Sequence, residues 1–185
     1  MLSQPMLDGA SQSLLGVLVM VAAVYDVRRR RIPNWLTLGG IVAGFGWNAC
    51  VAGAPGLTRA ATGLALGFLL YFPLYLLRAR GAGDVKLLAA VGAIAGAGNC
   101  FWVFVLTAVL GGVIALALVL FRGRLRQTLF NVARILRDMI RLRAPYRSSP
   151  EFDVTTTKGL RLPHGALIAV GTAAFLAMLQ YGIAV

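Results

Sequence analysis

Apolar runs recur along the chain, broken by short polar or glycine- and proline-rich segments, and they predict six helices. The runs fall at about 12–27, 34–53, 60–77, 85–98, 101–121 and 163–184. Most approach the ~20 residues that an α-helix needs to cross a bilayer. Pro33 and Asn34 separate the first two, and Asn34 is expected to cap the second. Ala52-Gly53-Ala54-Pro55-Gly56 turns the chain before the third run. Gly81, Gly83 and Asp84 open the fourth, and Gly98 with Asn99 links it to the fifth. The fourth run is short and rich in small residues, among them Ala89, Ala90, Gly92, Ala93 and Gly96. Small residues let helices approach closely, so this run is expected to be a buried central helix.

Composition agrees with a lipid environment. Hydrophobic residues make up 59% of the 185 positions and charged residues only 13%, where a soluble domain carries about 25% charged. Leu14–Tyr25 resembles the core of a signal peptide, but no Lys or Arg precedes it and Arg28–Arg31 follow it, so it reads as a retained first helix. A net charge of +12 would point a soluble protein toward nucleic acid. Here its distribution describes topology, and no nucleic-acid partner is expected. Arg28–Arg31 follow the first run, Arg78, Arg80 and Lys86 surround the third link, and ten basic residues lie in the fifth. Arg59 alone lies on the opposite side, so 17 of the 18 basic residues share one face. The positive-inside rule makes that face cytoplasmic and puts both termini outside. The expected fold is therefore all-α: a polytopic membrane protein of six transmembrane helices, read as a single membrane-embedded domain over 1–185.

Within the long link at 122–162, Leu125, Leu129, Val132, Leu136 and Met139 repeat at helical spacing, with Arg126, Arg134, Arg137 and Arg141 elsewhere on the wheel. That pattern predicts an amphipathic helix at about 125–143, lying on anionic lipid or helping to hold a membrane-embedded substrate. Cys50 and Cys100 lack metal-ligand spacing and read as small packing residues, or as one disulfide if their face is oxidising. One histidine and two separated cysteines cannot assemble a metal site, so no metal or cofactor is expected.

Only six residues are acidic: Asp8, Asp26, Asp84, Asp138, Glu151 and Asp153. Four lie in the outer tail or the large loop. Asp26 and Asp84 instead join directly onto apolar helices, where a carboxylate normally faces a cavity or a partner. The first helix runs inward and ends at Asp26, whereas the fourth runs outward from Asp84. Both carboxylates therefore lie at one cytoplasmic depth. Two carboxylates in one site are held more cheaply with a shared proton than with two charges. One can then activate water while the other donates to a peptide carbonyl. The glycines of Gly81-Ala82-Gly83-Asp84 would permit backbone conformations and close approaches denied to other residues. Lys86 and Arg28 either tune the site or anchor helix ends. The plainer alternative is that Asp26 pairs with Arg28–Arg31 and Asp84 caps its helix.

These residues resemble the signature of the type IV prepilin peptidases, membrane aspartic proteases of the GxGD kind. The first half is Asp26 followed by Ile32-Pro33-Asn34, and the second is Gly81-Ala82-Gly83-Asp84-Val85-Lys86-Leu87. Pro163-His164-Gly165 is similar to the family's Pro-Tyr-Gly segment, with His in place of Tyr. The resemblance implies that Asp26 and Asp84 are the catalytic pair, shaped by Gly81, Gly83, Lys86, Pro33, Asn34, Pro163, His164 and Gly165. His164 reads either as a lining residue beside the pair or as a polar residue opening the last helix. The resemblance further implies removal of prepilin leaders at the cytoplasmic face of a bacterial inner membrane. Its partners would be a prepilin with a hydrophobic N-terminal helix, membrane lipid and pilus assembly machinery. No paired CxxC cysteines precede the first helix, so methylation of the product is not expected, and the chain looks more like the short tight-adherence (Flp-type) members, although the archaeal preflagellin peptidases are also small. Two other classes stay open on the residues alone: an ion- or proton-coupled transporter using the aspartates as a relay, and a non-catalytic assembly factor.

Overall fold

A computed structural model describes residues 7–77, 80–123, 125–140 and 163–182. Among the described residues every regular element is an α-helix. These are α1 (Gly9–Arg29), α2 (Asn34–Leu76), α3 (Ala82–Ala95), α4 (Ala97–Phe121), α5 (Leu125–Ile140) and α6 (His164–Gln180). α1, α2 and α4 are long and apolar enough to cross a membrane, and α6 is a shorter apolar helix. Large hydrophobic side chains face outward, including Val17, Met20, Leu38, Val42, Val109, Val113 and Leu116. An outer surface this apolar suits lipid tails and not water, as expected of a multi-pass membrane protein.

The second and third apolar runs follow one another within α2, and Gly53 divides them into two arms. Its backbone, at φ 58° and ψ −133°, is non-helical and open only to glycine. The chain reverses there. The first arm (34–52) packs along α3 in the same direction: Gly40 approaches Ala90, and Gly44 approaches Ala93. The second arm (54–76) returns antiparallel, with Gly63 against Gly92 and Gly67 against Leu88. At Gly63 and Gly92 the helices touch backbone to backbone, leaving no room for a Cβ on either. Lipid tails are as apolar as leucine, so burial alone cannot drive this association; close van der Waals packing does.

α3 is the helix the others enclose, with all residues from Leu87 to Ala95 buried. It ends at Gly96, whose φ of 83° and ψ of 168° again require glycine. Its terminal carbonyls would otherwise be orphaned inside the bundle. Asn48 Nδ2 donates to Ala93 and Ile94 (3.1 and 3.2 Å), and Arg59 Nη2 donates to Ala95 (3.1 Å). The break between the fourth and fifth runs thus falls at Gly96, not at Gly98-Asn99. Asn99 lies in the first turn of α4 and donates back to Ala95. α4 then descends antiparallel to α6, with Thr107 against Gly171 and Gly111 near Leu167.

Two further expectations need correction. Pro33, not Asn34, is the N-cap of α2, because the proline ring suits the extended backbone at that position (φ −66°, ψ 140°); Asn34 is already helical. Cys50 is exposed and Cys100 buried, and both are free thiols; only Cys100 is a packing residue. α5 occupies 125–140, and the expected extension to 143 lies outside the described residues.

Candidate active site

The alternating helices bring the C-terminal end of α1 to the N-terminal ends of α2, α3 and α6 at one end of the bundle. Asp26 lies in the last turns of α1 and is 8% exposed. Asp84 is the third residue of α3 and is partly buried. They stand close enough to interact electrostatically. Arg80, just before α3, interacts in the same way with Asp84 and with Tyr71 and His164.

Asp26 is held from α6. The Gly165 N–H donates to Asp26 Oδ2 at 2.7 Å. Gly165 is the second residue of α6, where backbone N–H groups have no partner within the helix, and the helix dipole favours an anion. A Cβ on Gly165 would lie 3.0 Å from Asp26 Oδ2 and 3.1 Å from Asp26 Cβ, so only glycine admits this approach without displacement.

Ile32 joins the two halves. Its Cδ1 lies 3.0 Å from where a Gly165 Cβ would stand, and its Cβ lies 3.3 Å from the equivalent point on Gly83. Close approach is therefore the structural reason for Gly83. Gly81 departs from expectation: its φ of −79° and ψ of 150° suit any residue, and a Cβ there would meet Asp84 Oδ2 at an ordinary 3.8 Å. Lys86 Nζ donates to Asn34 Oδ1 at 3.0 Å, tying the start of α2 to α3. Pro33 and Pro163 occupy the N-cap positions of α2 and α6 in extended conformation.

His164 opens α6 and is 7% exposed. Its Nε2 is 2.8 Å from the hydroxyl of Tyr71, itself 3% exposed on the second arm of α2. The rings pack at 5.4 Å between centroids, and Phe104 of α4 meets Tyr71 edge-on at 5.7 Å. His164 Nδ1 is buried without a hydrogen-bond partner among the described residues. Tyr71, Ile32 and Arg80 were not singled out from the sequence as site residues. Ile32 carried a signal, its place in the Ile-Pro-Asn run; nothing local distinguishes Tyr71 from the other aromatics of α2.

Asp26 does accept a hydrogen bond at its own end of the bundle, but among the described residues it comes from a backbone amide and not from the arginine cluster. Among the described residues no three His, Cys, Asp or Glu side chains converge in a way that could hold a metal ion. What the assembled groups can do is hold two carboxylates near one another, one of them fixed by an amide, with a basic residue beside them. That arrangement suits activation of a water molecule next to a bound carbonyl.

The model of the type IV leader peptidase family matches residues 13–116. This stretch contains Asp26, the Ile-Pro-Asn run and Gly81–Leu87. No curated protein matches the chain, and no solved structure does.

Proposed function

This chain belongs to the type IV leader peptidase family, and from that premise we propose that it is an aspartic endopeptidase that removes prepilin leaders. Asp26 and Asp84 are its two catalytic carboxylates. One takes a proton from water as the oxygen attacks the scissile carbonyl, and the other donates a proton to that carbonyl's oxygen. The observation that carries this reading is the placement of the two acids, from separate spans, within electrostatic reach of one another at one end of the bundle.

The polarity of the bundle supports a cytoplasmic site. Arg28, Arg29, Arg80, Lys86 and Arg122 lie at the same end as the acids, where the positive-inside rule expects the cytoplasm. In this reading α1, the two arms of α2, α3, α4 and α6 make six passes, with both termini outside, in a bacterial inner membrane. The whole of 1–185 works as a single peptidase domain. α5 lies on the cytoplasmic leaflet, with Leu125, Leu129 and Val132 on its apolar side and Arg126 and Arg137 available to anionic headgroups. The substrate is a prepilin whose hydrophobic helix enters from the lipid, leaving the leader in the cytoplasm beside the acids. Handover to pilus assembly machinery follows cleavage.

The test is leader removal by the purified protein in detergent, with the product identified by mass. Cleavage at a single bond just before the hydrophobic segment is expected. A wild-type protein that leaves several short-leader prepilins intact would sink the proposal.

A further inference from the structure

We infer that Tyr71 is a positioning residue: through His164 it fixes the first turn of α6, and so holds the Gly165 amide on Asp26. The inference rests on the endopeptidase reading only for its catalytic consequence. Each link is either a hydrogen bond or a peptide bond. Tyr71 Oη meets His164 Nε2 at 2.8 Å, His164 and Gly165 are adjacent in the chain, and Gly165 N–H meets Asp26 Oδ2 at 2.7 Å. Three separate elements, α2, α6 and α1, are joined by two hydrogen bonds and one peptide unit.

The burial of this connection argues that it does more than pack. A buried polar pair can be replaced by apolar groups of the same shape at little or no loss, whereas an unpaired buried nitrogen is costly. His164 Nδ1 is such a nitrogen among the described residues. A histidine that served only to fill space would be inferior to leucine at this position. What it supplies and leucine cannot is the bond to Tyr71. That bond matters because, among the described residues, the first turn of α6 has only one other polar tie, the Gly165 amide on Asp26 itself, and Pro163, its N-cap, makes no side-chain capping bond. The first turn of a helix is where fraying begins. Without the hydroxyl of Tyr71, the Gly165 amide spends more time away from Asp26.

Three variants separate this role from packing. Tyr71→Phe deletes only the hydroxyl. His164→Gln keeps a polar atom near the place of Nε2, and His164→Asn keeps one near the place of Nδ1 but does not reach Tyr71. The first readout is hydrogen exchange of the Gly165 amide without substrate. That amide has no intrahelical partner, so its protection reports the bond to Asp26. The second is kcat and KM for leader removal. Tyr71→Phe and His164→Asn are expected to speed Gly165 exchange about tenfold and lower kcat about tenfold, the weight of one hydrogen bond, with KM within about twofold. His164→Gln is expected to stay near wild type in both. Unchanged Gly165 exchange in Tyr71→Phe overturns the inference, and so does a His164→Gln protein as impaired as His164→Asn. If the wild type cleaves nothing, the endopeptidase reading falls by itself, and the exchange series still decides the role of Tyr71.

Discussion

Gly165→Ala tests how tightly the position of Asp26 is set. The added methyl would stand 3.1 Å from Asp26 Cβ, 3.0 Å from Asp26 Oδ2 and 3.0 Å from Ile32 Cδ1. Carbon atoms in comfortable contact are ~3.5–4.0 Å apart, so about half an ångström must be found. Ile32 Cδ1 is the free end of a flexible side chain and can turn aside. Asp26 Cβ is one bond from the α1 backbone, so relief on that side moves the carboxylate itself. Displacement of a reacting group by ~1 Å can lower a rate by ~100-fold, and half that shift predicts a loss of about tenfold in kcat. Stability should change little. Overpacking costs ~1–3 kcal/mol, and alanine returns up to ~1 kcal/mol over glycine inside a helix. A net loss of ~0–3 kcal/mol leaves a protein of ordinary stability folded. The assay pairs kcat for leader removal with thermal unfolding in the same detergent. A variant with kcat within about twofold of wild type would refute the argument that Gly165 seats Asp26.

Two further substitutions test the frame that carries the site. Gly63→Ala forces a methyl into the backbone carbonyl of Gly92 on the enclosed helix; neither side is flexible, so a sharp fall in folded protein recovered from membranes is expected. Asn48→Leu strips the side-chain donor from the carbonyls of Ala93 and Ile94. It should lower unfolding stability by ~1–3 kcal/mol while leaving cleavage at low temperature close to wild type, since Asn48 lies at the end of the bundle away from Asp26.

The long apolar runs and the lopsided basic residues made the helical class legible, and with it the placement of Asp26 and Asp84 at one end of the bundle. Both signals are one-dimensional: a span shows as hydropathy, and its direction shows as charge at its ends. Breaks that depend on a backbone angle were less legible. Gly96 and Gly98 look alike in sequence, and only the φ of 83° at Gly96, with Asn48 and Arg59 waiting for the freed carbonyls, decides between them. Gly81 looked like a conformational necessity, yet it has an ordinary extended backbone. Least legible was the connection from Tyr71 to Asp26. Its two hydrogen bonds span 93 and 139 positions, and no local pattern distinguishes a tyrosine that reaches across a bundle from one that faces lipid. His164 was visible as the only histidine, but its partner was not.

The central claim is that Asp26 and Asp84 act as one catalytic unit. The most direct test measures single-turnover leader removal for Asp26→Asn, Asp84→Asn and the double variant beside wild type. Groups that act together are strongly non-additive. The account predicts that each single substitution abolishes cleavage, that the double variant is no worse, and that all three remain folded. Cleavage that survives in either single variant would contradict it.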